Sequence, residues 1–173
     1  MVDLRSIIAE QLAPFAPYIR GNALASLVAI KGIPGSAELA GNPPFSGADG
    51  FALDKAFGRL NWGFGSQGTR VWLGIVLSAL GYPELSPADL RLVLEIVDPL
   101  AIVVLDETAR LKIIDAFESV DKALRTDFNS GTEHWILGRH VLSVEEFEQS
   151  LAQESLKQRA WGQLKRCQPP AIR

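Results

Sequence analysis

Residues 86–106 read SPADLRLVLEIVDPLAIVVLD, and the order of features in that stretch decides the fold class. Ser86 is a helix N-cap, Pro87 takes the first helical position and Asp89 places an acid in the first turn. Together these three signals start a helix. Leu90, Val93, Leu94 and Val97 recur at helical spacing, so the helix buries one face, and Pro99 ends it. The run from Leu100 to Leu105 has no polar position. Such a strand has no solvated face and belongs in a parallel sheet covered on both sides. Asp106 follows at once as the cap of another helix, which carries Leu111, Ile113, Ile114 and Phe117. A buried strand between two capped helices predicts a layered α/β chain.

The alternation extends in both directions. Ala23 to Ile30 is an apolar run that ends in the tight turn Lys31-Gly32-Ile33-Pro34-Gly35. Arg70 to Leu77 (RVWLGIVL) is rich in β-branched and aromatic residues and reads as a second strand, and Trp135 to Val144 holds a fourth. Asp3 caps a first helix with Leu4, Ile7, Ile8 and Leu12 on one face, and Asp49 caps one with Phe51, Ala56, Phe57 and Leu60. A final helix from about Glu145 presents Phe147, Leu151, Leu156, Ala160, Trp161 and Leu164. Gly32 to Gly50 is an ordered Gly/Pro-rich loop, and Lys122 to Glu133 a polar surface loop. The prediction is one domain over residues 1–173, a three-layer α/β/α arrangement with a central parallel sheet of about four strands. Ligands of open α/β sheets bind beyond the C-terminal strand ends, which directs attention to the loop from Gly32 to Gly47.

Composition narrows the function. The 173 residues are 47% hydrophobic, enough to close a core. Cys167 is the single cysteine, and His134 and His140 are the only histidines, six apart. This set provides no disulfide, no cysteine cage and no recognised metal spacing, so neither metal nor cofactor is expected. No stretch reaches the roughly 18 apolar residues of a membrane span, and no basic leader precedes an apolar run, so the expectation is a cytoplasmic protein without membrane contact. A net charge of −3 counts against a broad phosphate-binding face. The one concentrated basic stretch, residues 157–166 (KQRAWGQLKR), offers Lys157, Arg159, Lys165 and Arg166 as phosphate contacts, or as the solvated face of an amphipathic helix.

Residues 31–50, KGIPGSAELAGNPPFSGADG, resemble the first motif of the uracil-DNA glycosylase superfamily, closest to its thermostable iron–sulfur branch. That motif runs GExPG, a short acidic stretch and a GRPFVG-like element, and the spacing from Pro34 to Phe45 agrees with it without a gap. The order continues through residues 51–60 (FALDKAFGRL), the strand from Val71 to Leu77, SPADLR and the stretch DPLAIVVLD that ends at Asp106. The resemblance implies a glycosylase-like fold acting in DNA repair. It also implies a base pocket built by the turn residues Gly32, Pro34 and Gly35, with Phe45 as the stacking ring and Ile75 at the position of the family's base-reading asparagine.

Against that pattern, Gly32 stands where the family carries a water-positioning acid, and Ile75 offers no hydrogen bond to a base edge. The cluster cysteines are absent. The family's late HPS motif has His140 as its nearest candidate, but an alignment that places the motif near Ser143 to Phe147 is preferred. The resulting expectation is a degenerate active site without uracil excision, serving as a non-catalytic module that binds a nucleotide, a nucleic acid or a protein partner. The alternative is a DNA base-excision glycosylase of altered specificity. The charge around Phe45 discriminates: a basic rim favours nucleic acid, and an acidic or apolar rim favours a protein partner.

Overall fold

The computed structural model describes residues 3–63, 65 and 69–170. The chain begins with α1 (Leu4–Leu12), where the Arg5 N–H donates to the Asp3 carboxylate at 3.2 Å, and a 3-10 turn (Ala13–Tyr18). It continues through β1 (Ile19–Gly21), β2 (Leu27–Lys31), α2 (Ser36–Leu39), α3 (Ala48–Arg59), β3 (Leu73–Val76) and α4 (Pro87–Val97). Then come β4 (Ala101–Val104), α5 (Glu107–Phe117), α6 (Leu124–Asp127), β5 (Glu133–Ile136), β6 (Arg139–Ser143), α7 (Phe147–Ser150) and α8 (Glu154–Leu164). The α/β class is as the sequence predicts. Ser86 caps α4, accepting from the Asp89 N–H at 3.1 Å, and Asp106 caps α5, accepting from the Ala109 N–H at 2.8 Å.

The sheet differs from the expectation of about four parallel strands. It has six strands in the order β1-β3-β2-β4-β6-β5 and is mixed. β3, β2, β4 and β6 run parallel, with β1 and β5 antiparallel at the two edges. The stretch from Trp135 to Val144, read as a single strand, belongs to a hairpin. Leu137 and Gly138 turn it with φ of +49° and +81°, the backbone of a two-residue type I′ loop. A leucine at the first turn position hides that signal. β1 is three residues long, too short for periodicity, and exists because Arg20 pairs with Gly74 across the edge of β3.

The other corrections are local. α3 is capped by Gly47, so Asp49 lies inside its first turn and its carboxylate is free for other work. The expected final helix is two, α7 and α8, and short helices α2 and α6 interrupt the two predicted loops.

Both faces of the sheet are covered. Alternate residues of β2 point to opposite layers, as the pleat requires. Val28 and Ile30 pack with Leu90, Leu94, Ile113 and Phe117 from α4 and α5. Leu27 and Ala29 pack with Leu53, Phe57, Phe147 and Leu164 from α3, α7 and α8. The register places Ile30 beside Val104 and Val104 beside Ser143, so the chain leaves β2, β4 and β6 along one edge. Lys31-Gly32, Leu105-Asp106 and Val144 onward all emerge there.

Candidate functional site at the C-terminal edge of the sheet

Lys31 closes β2 with its side chain only 3% exposed. Its ammonium lies 2.5 Å from Glu38 Oε1 and 2.5 Å from Asp49 Oδ2, and both carboxylates are as deeply buried. One cation therefore faces two anions in a region shielded from water. A buried ammonium without such partners would be strongly unfavourable, which explains why α2 and α3 both present acids here.

Glu38 also organises the loop. It accepts from the Gly35 N–H at 3.0 Å and the Phe45 N–H at 2.7 Å, closing the chain from the turn to the aromatic ring. Burial pushes the Glu38 carboxyl up, but the hydrogen bonds from Lys31 and Phe45 and the charge of Lys31 outweigh it, holding Glu38 below the usual carboxylate range.

Phe45 is fully buried and has φ of +57°, a backbone conformation uncommon for a bulky residue. Its ring meets Trp72 edge-on at 5.3 Å, and Lys31 Nζ sits over it, 4.6 Å from the centroid. Gly74 makes this approach feasible, because a Cβ there would lie 2.5 Å from the ring. Arg70 donates to the Phe45 carbonyl at 2.5 Å, while Asp54 accepts from the Trp72 indole N–H at 2.7 Å and pairs with Arg70.

Asp106 ties the neighbouring strand end to the same turn. Beyond capping α5, its carboxylate accepts from the Gly32 N–H at 2.9 and 3.0 Å and from the Ile33 N–H at 3.1 Å. A cavity of about 30 Å³ remains between these elements, lined by Lys31, Ile33, Asp49, Asp106, Glu146 and Glu148 among others. Glu146 and Glu148 are exposed at its mouth and make no side-chain hydrogen bond or ion pair among the described residues. Partial burial pushes the Glu148 carboxyl above its ordinary range. Lys31 opposes that shift, while Asp49, Glu38 and Asp106 add to it.

The edge thus gathers Gly32, Pro34, Gly35 and Phe45, with Ser143 to Phe147 arriving from β6. It does not gather Ile75, which belongs to the core layer on the opposite face from Phe45. Nor does it gather His140, which pairs with Ala101 at the N-terminal end of β4, bonds Glu133 at 2.6 Å and stacks on Trp135 at 5.0 Å. The cations of the C-terminal segment are spread over other contacts. Arg159 pairs with Glu145 at 2.9 Å, Lys157 with Glu154 at 4.0 Å, Arg166 donates to the Gly131 carbonyl, and Lys165 lies over Trp161. Burial pushes the Cys167 thiol up to about 12, against a smaller opposing effect from Trp62, so it is no nucleophile at neutral pH.

Sequence reasoning missed the roles of Lys31, Glu38 and Glu148. One signal was available: a lysine ending an otherwise apolar buried strand demands acids from elsewhere in the chain. No protein-family model matches the sequence, and the search of curated proteins found no match.

Proposed function

We propose that the chain is a non-catalytic, partner-binding module on a uracil-DNA glycosylase-like fold, in which the place of an excised base is filled from within. The observation that carries this reading is the closure of the sheet edge. Phe45 has one face under the Lys31 ammonium and Trp72 against it, and is wholly buried, so no face is left for a base. The adjoining cavity of about 30 Å³ has room for roughly two waters at ~10–15 Å³ each, whereas ligand pockets begin near ~300 Å³.

Charge supports the same reading. The exposed rim carries Glu146 and Glu148, above a buried cluster in which Glu38, Asp49 and Asp106 outnumber Lys31, and this net negative charge repels phosphodiesters and suits a protein partner.

A second reading, base excision of altered specificity, is favoured by one observation: Glu148, with its raised pKa beside a water-sized cavity, has the character of a general base. Incubation with oligonucleotides bearing uracil, hypoxanthine or xanthine, scored for abasic sites, separates the two. The proposed function predicts no abasic sites with any of the three. Multiple turnovers, lost in Glu148→Gln, would establish the second reading instead.

A further inference from the structure

Beside the closed edge lies a more open groove of about 320 Å³, lined by Glu145, Glu146, Ser150, Leu156, Arg159 and Ala160 among others. Its size reaches the range of small binding sites, unlike the cavity at the sheet edge. Glu146 lines both hollows, so they meet at that residue. The charges along this junction are unequal in their commitments. Arg159 is matched by Glu145 at 2.9 Å, and Lys31 is taken up by Glu38 and Asp49. Glu146 and Glu148 remain, both exposed, with no cation paired to either among the described residues.

We propose that this groove receives an extended basic segment of a partner protein. A lysine or arginine of that segment lays its aliphatic stem against Leu156 and Ala160 and carries its charge to Glu146, toward the adjoining cavity that Glu148 lines. The inference rests on the partner-binding reading above and names the partner's chemistry. Three features select this occupant. The unmatched charge is negative, which disfavours phosphate. The groove is much larger than an ammonium group and has aliphatic residues in its lining, which suits a long side chain with an apolar stem better than a free amine. No cluster of His, Cys, Asp and Glu among the described residues is arranged to hold a metal ion. Ile33, 53% exposed at the mouth of the adjoining cavity, adds an apolar contact for a neighbouring residue of the segment.

The test uses a fluorescein-labelled peptide that alternates arginine with leucine, titrated with the whole protein and followed by fluorescence anisotropy. Saturable binding that weakens with added salt is expected, with a loss of roughly tenfold or more in the double variant Glu146→Lys and Glu148→Lys. Because the Glu148 carboxylate packs on Gly35, circular dichroism checks that the variant keeps its fold, and the isosteric pair Glu146→Gln and Glu148→Gln should show a smaller loss in the same direction. The variant Glu10→Lys, an exposed acid on α1, makes half that charge change away from the groove and should bind as the unaltered protein does. No binding, equal binding of a glutamate-for-arginine peptide, or an equal loss in Glu10→Lys overturns the proposal. Tighter binding of a single-stranded oligonucleotide also overturns it. Failure here, with base excision still absent, removes the basic partner and leaves the non-catalytic reading standing. Base excision would sink that reading whatever the peptide does.

Discussion

Lys31 Nζ and Asp49 Oδ2 meet at 2.5 Å with side chains 3% and 4% exposed, so the last residue of the central strand β2 is joined to the first turn of α3 by a desolvated charge pair. With Glu38 at the same distance on the other partner, the ammonium links strand, loop and helix. Removing the cation alone leaves two buried carboxylates without a counter-charge. Lys31→Met should therefore cost about 3–5 kcal/mol. Adding Glu38→Gln and Asp49→Asn should recover a large part of it, because the stranded charges are gone. Urea denaturation of the single and triple variants measures both, and equal stabilities for the two would show that the cluster is not a desolvated unit.

Asp106 gives an independent test of how β2 and β4 are held together at the edge. Its carboxylate serves the Gly32, Ile33 and Ala109 N–H groups at once. Asp106→Ala removes a helix cap and orphans a buried backbone donor, for a combined loss of about 2–4 kcal/mol. Asp106→Asn keeps one acceptor oxygen and should fall between that variant and the unaltered protein. Hydrogen exchange should locate the loss: the Gly32 and Ala109 amides lose protection together in Asp106→Ala, and loss at Ala109 alone would contradict the bridging role.

How much of this was legible beforehand follows from the range over which each feature is determined. The helix from Pro87 to Val97 and the strand from Ala101 to Val104 are encoded locally, by a cap, a proline, a period and an apolar run, and the structure has them with Ser86 and Asp106 as caps. β1 is not local: Ile19–Gly21 is a strand because β3 lies beside it. The placement of Phe45 was legible as a loop aromatic, but its burial depends on Gly74, 29 positions away, leaving space above the sheet. Likewise nothing adjacent to Lys31 announces Glu38 and Asp49 as partners; only the fold brings them together. His140 stood out as a residue type and Ile75 by its position in the resemblance, and the register sends one to the far end of the sheet and the other to the opposite layer.

The β5–β6 hairpin carries a correctable flaw. Leu137 occupies the first position of its turn at φ +49° with its side chain 57% exposed, where asparagine is the favoured residue. Leu137→Asn should raise stability by about 0.5–1 kcal/mol, because asparagine tolerates the left-handed region at less cost. A rise in Tm without a change in the denaturant m-value is the expected signature. A fall in Tm would mean that Leu137 contributes packing that its exposure conceals.

Two carboxylates of the same site should respond to pH in opposite senses. Glu38 is held below the ordinary range, so its contribution to stability is present above the unfolded glutamate value near ~4.3 and is lost as pH falls through the folded value. Glu148 is held above the ordinary range by partial burial and by Asp49, Glu38 and Asp106, against the opposing effect of Lys31. Its stabilising contribution is complete below the unfolded value and is lost as pH rises through the folded one. At neutral pH the ionised Glu148 is thus a burden on the fold, and Glu148→Gln should be more stable than the unaltered protein. The gain should stay below about 1 kcal/mol, because solvent screens an exposed side chain. It should shrink toward zero as pH drops below the unfolded glutamate value, where Glu148 is neutral in both states. Glu38→Gln should show the reverse, less stable at neutral pH and converging with the unaltered protein in acid. Thermal melts of the three proteins across pH 3 to 8 decide the matter. A Glu148→Gln gain that is independent of pH would show that it does not come from the carboxylate charge, since the two side chains have nearly the same shape, and that the acid rim does not repel itself.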